Sequence, residues 1–191
     1  MVQITANELE KKIYLLLEGQ PHMVLEVQFT TPSARGASAL AKVRVRNLLT
    51  GAVQDKTFKT GEKFNVPDVE KIPAVFLYAA NTDYHFMDNT TYEEFELTGE
   101  KLGEQKYYLK ENTELQALKY NGAVISLELP AVVELRVIQT DPPLKGASAS
   151  GRSTKKAILE TGLEVQVPLY IEPGTTVRVN TQTGEVTGRA G

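Results

Sequence analysis

Apolar residues along this chain fall into short runs that alternate with polar ones or stand as compact blocks, and both patterns predict β-strands. The clearest case is 39–48, where Ala41, Val43 and Val45 alternate with Lys42, Arg44 and Arg46. A period of two puts the three cations on one face and the apolar residues on the other. Comparable patterns predict strands at Ile13–Leu17, Met23–Phe29, Ala39–Leu48, Val53–Phe58, Ala74–Tyr78 and His85–Met87. Further strands are predicted at Leu115–Tyr120, Val124–Leu127, Val132–Gln139, Leu163–Val167, Thr176–Asn180 and Val186–Gly188. Turn signals separate them: Glu18-Gly19, Thr50-Gly51, Asn121-Gly122, Thr161-Gly162, Pro173-Gly174 and Thr183-Gly184. Asn121-Gly122 is the strongest of these, because the two residues supply the positive φ values of a type I′ hairpin. One helical stretch is predicted, over Glu100–Leu109. Many short strands with frequent turns make the chain all-β, built of small barrels or sandwiches.

Two loops stand out against that background. The first is Thr31-Pro32-Ser33-Ala34-Arg35-Gly36-Ala37-Ser38, between an apolar strand and the basic one. Pro32 presets a turn, Gly36 admits positive φ, and the small side chains keep the backbone slim. The expected shape is a finger with one guanidinium, Arg35, at its tip, suited to a phosphate-rich cavity. An ordinary exposed hairpin with a solvated Arg fits the same residues. The second loop runs from Asp141 to Lys156 and is rich in Gly, Ala and Ser. Its backbone amides with Lys145, Arg152, Lys155 and Lys156 can track a phosphate backbone; a linker with solvated charges is the alternative.

Charge divides the chain. Residues 1–64 hold 9 Lys+Arg and 6 Asp+Glu, residues 65–129 hold 5 and 12, and residues 130–191 hold 7 and 6. Proline marks both breaks, at Pro67 and Pro130. This suggests three domains, 1–64, 65–129 and 130–191, in which basic ends meet nucleic acid while an acidic middle stays clear of phosphate or meets a basic protein. The net charge of −3 argues against indiscriminate DNA binding.

Catalytic signatures do not emerge. The two histidines, His22 and His85, lack metal-type spacing, and His85 is expected as a partly buried strand residue. The chain has no P-loop, no G-x-G-x-x-G and no G-x-S-x-G. Glu93-Glu94-Phe95-Glu96 reads as a solvated strand face, with a metal or basic-protein contact as the alternative, and Tyr107-Tyr108 as packing, with a base-stacking platform as the alternative. No cysteine is present, so neither disulfides nor thiolate ligands are available. No apolar run approaches the roughly 18 residues of a membrane span, and the start shows no secretory signal. A non-enzymatic, cytoplasmic protein without metal or cofactor is expected.

Several strings carry a family resemblance. They are Ser33-Ala34-Arg35-Gly36-Ala37, Leu49-Thr50-Gly51, Thr57-Phe58-Lys59, His85-Phe86-Met87-Asp88, Leu127-Glu128-Leu129-Pro130, Leu144-Lys145-Gly146-Ala147-Ser148-Ala149-Ser150 and Thr161-Gly162-Leu163-Glu164-Val165-Gln166-Val167-Pro168. The chain resembles bacterial translation elongation factor P, most closely the elongation factor P-like protein (YeiP type), over essentially its whole length. The resemblance implies three β-barrels, one SH3-like (KOW-like) and two OB-type, in an L-shaped arrangement that mimics tRNA. It also implies a monomer that binds the bacterial ribosome, both rRNA and ribosomal protein, beside peptidyl-tRNA. There it would promote peptide bond formation at stalling sequences such as polyproline. Carried over, Pro32, Ser33, Ala34, Arg35, Gly36 and Ala37 form the fingertip at the peptidyl transferase centre. Lys42, Arg44, Arg46, Lys145, Gly146, Gly151, Arg152, Lys155 and Lys156 are the implied tRNA- and rRNA-binding residues, with the second loop near the exit-site mRNA codon. Ordinary factor P carries a modified Lys at the tip; Arg35 excludes a lysyl-type modification there and is expected to act unmodified, with a sugar on Arg35 as the alternative. Ala147 is a second departure, and both departures are shared by the paralogue. The alternative function is a non-ribosomal RNA-binding or scaffold protein of the same modules.

Overall fold

A computed structural model of the chain describes residues 2–30, 39–142 and 154–190. Two compact units are formed, Met1–Ile72 with Ala117–Ser126, and Pro73–Gln116 with Leu127–Gly191.

In the first unit, β1 (Gln3–Thr5) pairs with β6 (Lys63–Asn65), and β2 (Tyr14–Leu17), β3 (Gln20–Thr30), β4 (Leu40–Asn47) and β5 (Val53–Lys59) make an antiparallel sheet in that order. β4 alternates as the sequence predicts: Ala41, Val43 and Val45 are buried, while Lys42 and Arg44 are exposed. The inward residues meet Leu15, Val24, Phe58 and Phe64 in one core, with Phe58 and Phe64 packed edge to face at 4.7 Å. A second cluster joins Leu48 to Leu118 and Ile125 of the 117–126 hairpin.

The five-stranded middle sheet has the order β11-β10-β7-β8-β9, from β7 (Val69–Ala80), β8 (Asp83–Asp88), β9 (Glu94–Thr98), β10 (Glu114–Tyr120) and β11 (Ala123–Glu128). The last sheet has the order β14-β13-β12-β15-β16, from β12 (Val132–Thr140), β13 (Thr154–Leu159), β14 (Glu164–Pro168), β15 (Thr176–Asn180) and β16 (Val186–Arg189). Numbered within each segment, both orders are third, second, first, fourth, fifth. The two segments therefore share one topology, the five-stranded arrangement of an OB-type fold. The all-β expectation of an SH3-like segment followed by two OB-type segments is met.

The predicted helix over Glu100–Leu109 is shorter and tighter. A single α-turn, α1 (Gly99–Leu102), starts on Thr98, whose hydroxyl accepts the Lys101 amide at 3.3 Å. Gly103, at φ 57°, ends it, and the chain continues as a 3₁₀ helix, Gly103–Tyr108. Asn121 and Gly122, at φ 50° and 81°, make the predicted type I′ hairpin between β10 and β11.

One turn recurs in all three sequence segments. The side-chain oxygen of Asn47, Asp88 or Asn180 accepts the two amides that lie two and three residues on: Leu49 and Thr50, Thr90 and Thr91, Gln182 and Thr183. The next residue then takes positive φ: Gly51 at 76°, Tyr92 at 61° and Gly184 at 73°. Glycine does this without steric cost, whereas Tyr92 does not.

Candidate nucleic-acid interface

Strand register decides which cations are free to meet phosphate. On the outer face of the first sheet, Arg44 lies opposite Asp55 of β5 and Glu26 of β3, with Arg44 Nε 4.0 Å from Asp55 Oδ1. Glu26 in turn accepts a hydrogen bond from Gln28 Nε2 at 3.0 Å. Arg44 is thus flanked by two carboxylates, and Arg46, half-buried, has a partner of its own. Lys42 lies between Gln28 and Thr57, and Lys59 faces Leu40 one row further along. Both lysines are exposed and have no ion pair among the described residues. They form a cationic pair where β3 and β4 end, with Thr30 opposite Leu40. Lys59 was missed because the predicted strand stopped at Phe58. Carried one residue further, the same alternation places Lys59 on the face of Lys42 and Thr57.

The fingertip residues Pro32, Ser33, Ala34, Arg35, Gly36 and Ala37 lie outside the described residues, as do Lys145, Gly146, Gly151 and Arg152.

Lys155 and Lys156 require a correction. Neither belongs to a loop: both stand on β13, where alternation turns one inward and the other outward. The Lys155 side chain is 5% exposed and its Nζ donates to Glu172 Oε1 at 3.1 Å. A buried ammonium held by a carboxylate does not track a phosphate backbone. Lys156 is exposed, and its ammonium sits 2.8 Å from Glu164 Oε2. The Glu164 hydrogen bond and charge, helped by Asp141, raise the Lys156 pKa above the ordinary lysine range.

Within the second unit, the 3₁₀ helix docks on the last sheet. Thr161 Oγ1 donates to the Tyr107 carbonyl at 2.5 Å, and Lys110 Nζ lies 3.1 Å from Glu160 Oε1. That same Glu160 oxygen accepts the Arg136 amide at 2.9 Å. Tyr108 packs on the core of Leu135, Val137, Val165 and Val177. Burial, followed by the Glu104 charge, raises its phenol pKa above 10. Gly184 admits this contact, since a Cβ there would lie 3.3 Å from the Tyr108 hydroxyl. The packing role expected of Tyr107-Tyr108 is met at Tyr108.

His22 is buried in β3, with Nδ1 2.9 Å from the Gln20 carbonyl oxygen. His85 is half-buried in β8 and stacks on Tyr78, as a strand residue rather than a ligand. Among the described residues no cluster of three or more His, Asp or Glu is arranged to hold a metal. No helix among them is long and apolar enough to cross a membrane.

Sequence families coincide with these segments. The KOW-like domain of elongation factor P matches residues 5–64, its OB domain 69–127, and its C-terminal domain 133–189. An elongation factor P of Bdellovibrio bacteriovorus is 41% identical over 183 residues, covering 96% of each chain. One from Moorella thermoacetica is 41% identical over 187 residues, covering 98% of this chain and 100% of that protein. The chain belongs to the elongation factor P family. A solved structure named eukaryotic translation initiation factor 5A, from Methanococcus jannaschii, is also similar, with 20% identity over 66% of this chain and 93% of that one and a TM-score of 0.48. As a member of the elongation factor P family the chain is a translation elongation factor. Its KOW-like match carries the Lys42–Lys59 pair, and its OB match ends at the 117–126 hairpin that packs on Leu48.

Proposed function

We propose that this elongation factor binds the bacterial ribosome beside peptidyl-tRNA in the cytoplasm, as a monomer, and accelerates peptide bond formation at poor substrates such as consecutive prolines. The observation that carries this reading is the hairpin of β3 and β4. Among the described residues it has no ion pair at Lys42, Lys59 of the adjacent β5 adds a second cation beside it, and it leads in sequence into the segment that bears Arg35. We read 1–64, 65–129 and 130–191 as its three domains. Arg35 at the tip and Ala147 in the second loop favour the paralogue subgroup. The second loop, through Lys145, Gly146, Gly151 and Arg152, would lie near the exit-site codon.

Proline reacts slowly because its ring fixes φ and its nitrogen is secondary. A rigid body that holds the peptidyl end in one orientation removes unproductive arrangements and lowers the entropic part of the barrier. A tenfold acceleration needs only ~1.4 kcal/mol, within reach of charge-assisted contacts to phosphate. Arg35 suits the tip: its planar fork stays charged at neutral pH, donates to phosphate and stacks on a base.

The test is translation of a polyproline reporter in a reconstituted system, with sedimentation on ribosomes measured in parallel. Arg35→Ala should still sediment with ribosomes yet lose rescue, because binding and positioning use different residues. Full rescue by Arg35→Ala would overturn the assignment. Failure of the intact protein to sediment with ribosomes, with capture by free RNA instead, would favour a non-ribosomal RNA-binding role.

A further inference from the structure

The outer face of the first three strands of the middle sheet carries a set of side chains that translation-factor membership does not explain. Tyr78 of β7 stacks on His85 of β8, with ring centroids 4.6 Å apart and planes inclined by 20°. Register places Glu96 of β9 opposite His85, and Glu94 opposite Met87, which faces Val75 on its other side. Tyr78 is 44% exposed, Met87 and Val75 are half-buried, and Glu94 and Glu96 are exposed. Neither glutamate makes an ion pair or side-chain hydrogen bond among the described residues. A stacked pair of rings, a small apolar floor and two unpartnered carboxylates thus share one surface.

In OB-type folds this is the side that meets oligonucleotides, with aromatic rings stacking on bases. Here the rings are present but the rim has the wrong sign for phosphate. Residues 65–129 contain 12 Asp+Glu, 5 Lys and no Arg, so a nucleic-acid backbone arriving here meets repulsion and no forked donor. A guanidinium group satisfies both halves of the surface. Its planar face stacks on the Tyr78–His85 rings while its edge donates to Glu96 or Glu94. We propose that this face docks the arginine side chains of a basic polypeptide segment. Lysine fits less well, because a compact ammonium pairs with the carboxylates but does not stack. The proposal goes beyond the ribosome reading and does not depend on it.

The test is a titration of the isotope-labelled full chain, followed by amide NMR at physiological salt, with nona-arginine, nona-lysine and oligouridylate as probes. Nona-arginine should first shift the amides of Tyr78, His85, Glu94 and Glu96, with nona-lysine binding more weakly. The double variant Glu94→Gln with Glu96→Gln should weaken nona-arginine about tenfold, the scale of two exposed ion pairs. Tyr78→Leu should erase the preference for arginine over lysine while leaving the charge attraction. Shifts spread over all surface carboxylates would overturn the proposal, as would unchanged affinity in the glutamine variant. Oligouridylate shifting these same amides would assign the face to nucleic acid instead.

Discussion

Replacing Glu172 by Gln should destabilise the C-terminal sheet more than replacing its partner Lys155 by Met. The two charged groups are 3.1 Å apart, with the lysine side chain 5% exposed and the glutamate side chain 70% exposed. At an effective dielectric constant near 20, opposite charges at this separation attract by about 5 kcal/mol. Exposure of the glutamate lets water screen a large part of that, leaving a net value of about 2 kcal/mol, the range of a charge-assisted hydrogen bond. Glu172→Gln removes the counter-charge and strands a buried ammonium, so the cost should be about 2–3 kcal/mol. Lys155→Met keeps the unbranched stem against its neighbours and leaves a carboxylate that water already solvates, so it should change stability by less than about 1 kcal/mol. Urea unfolding, followed through the NMR intensities of Val177 and Val179 in the core of that sheet, measures both variants. Adding Lys155→Met to Glu172→Gln should recover most of the loss, since the stranded charge is then gone. A larger loss in Lys155→Met than in Glu172→Gln would refute the reasoning, and little loss in either variant would return Lys155 to the solvent-facing role its place in the sequence suggests.

Three other outcomes follow from the geometry. Lys42→Gln combined with Lys59→Gln should lower the slope of log affinity against log salt for ribosome binding by about two, roughly one neutralised phosphate for each lysine; Arg44→Gln, already flanked by Glu26 and Asp55, should lower it by less than one. The Tyr108 pKa is raised in the folded state, so its contribution is fully present below the ordinary value of 10.0 and lost as pH rises through the shifted value. An alkaline loss of stability starting near that value should therefore shrink in Tyr108→Phe, as read by urea melts across the pH series. Tyr92→Gly should leave stability unchanged or raise it by up to about 1 kcal/mol, because it relieves a left-handed side chain that its sister turns fill with glycine; a clear loss would show that the Tyr92 ring contributes more than its 74% exposure suggests.

Much of the strand layout was legible because a half-buried strand writes its own period. Leu40–Asn47 and Thr176–Asn180 emerge where alternation placed them, to within a residue. β13 was hidden because the Gly- and Ser-rich loop runs straight into Thr154-Lys155-Lys156, where two adjacent cations disguise an inward position as an outward one. A lysine can occupy such a position when its stem packs and a carboxylate waits at the end, and no local pattern announces Glu172, 17 residues away. The same limit applied to the basic face of β4. Three cations on one side were visible, but the neutralisation of Arg44 among them depends on Asp55 and Glu26 in neighbouring strands, and register is a tertiary property. The short helix was overextended because Leu102 and Leu109 suggest one amphipathic face, while Gly103 between them takes positive φ and ends the α-turn. The Tyr78–His85 stack needed pairing across a bulge that no sequence window contains.

The most direct test of the central claim is the rate of peptide bond formation between proline residues on purified ribosomes, measured by rapid quench with and without the protein. The account predicts acceleration of about tenfold or more for proline donor and acceptor, matching a barrier change of ~1.4 kcal/mol, and little change for a fast-reacting pair such as phenylalanine and lysine. An unchanged proline rate at concentrations where the protein occupies the ribosome would contradict it.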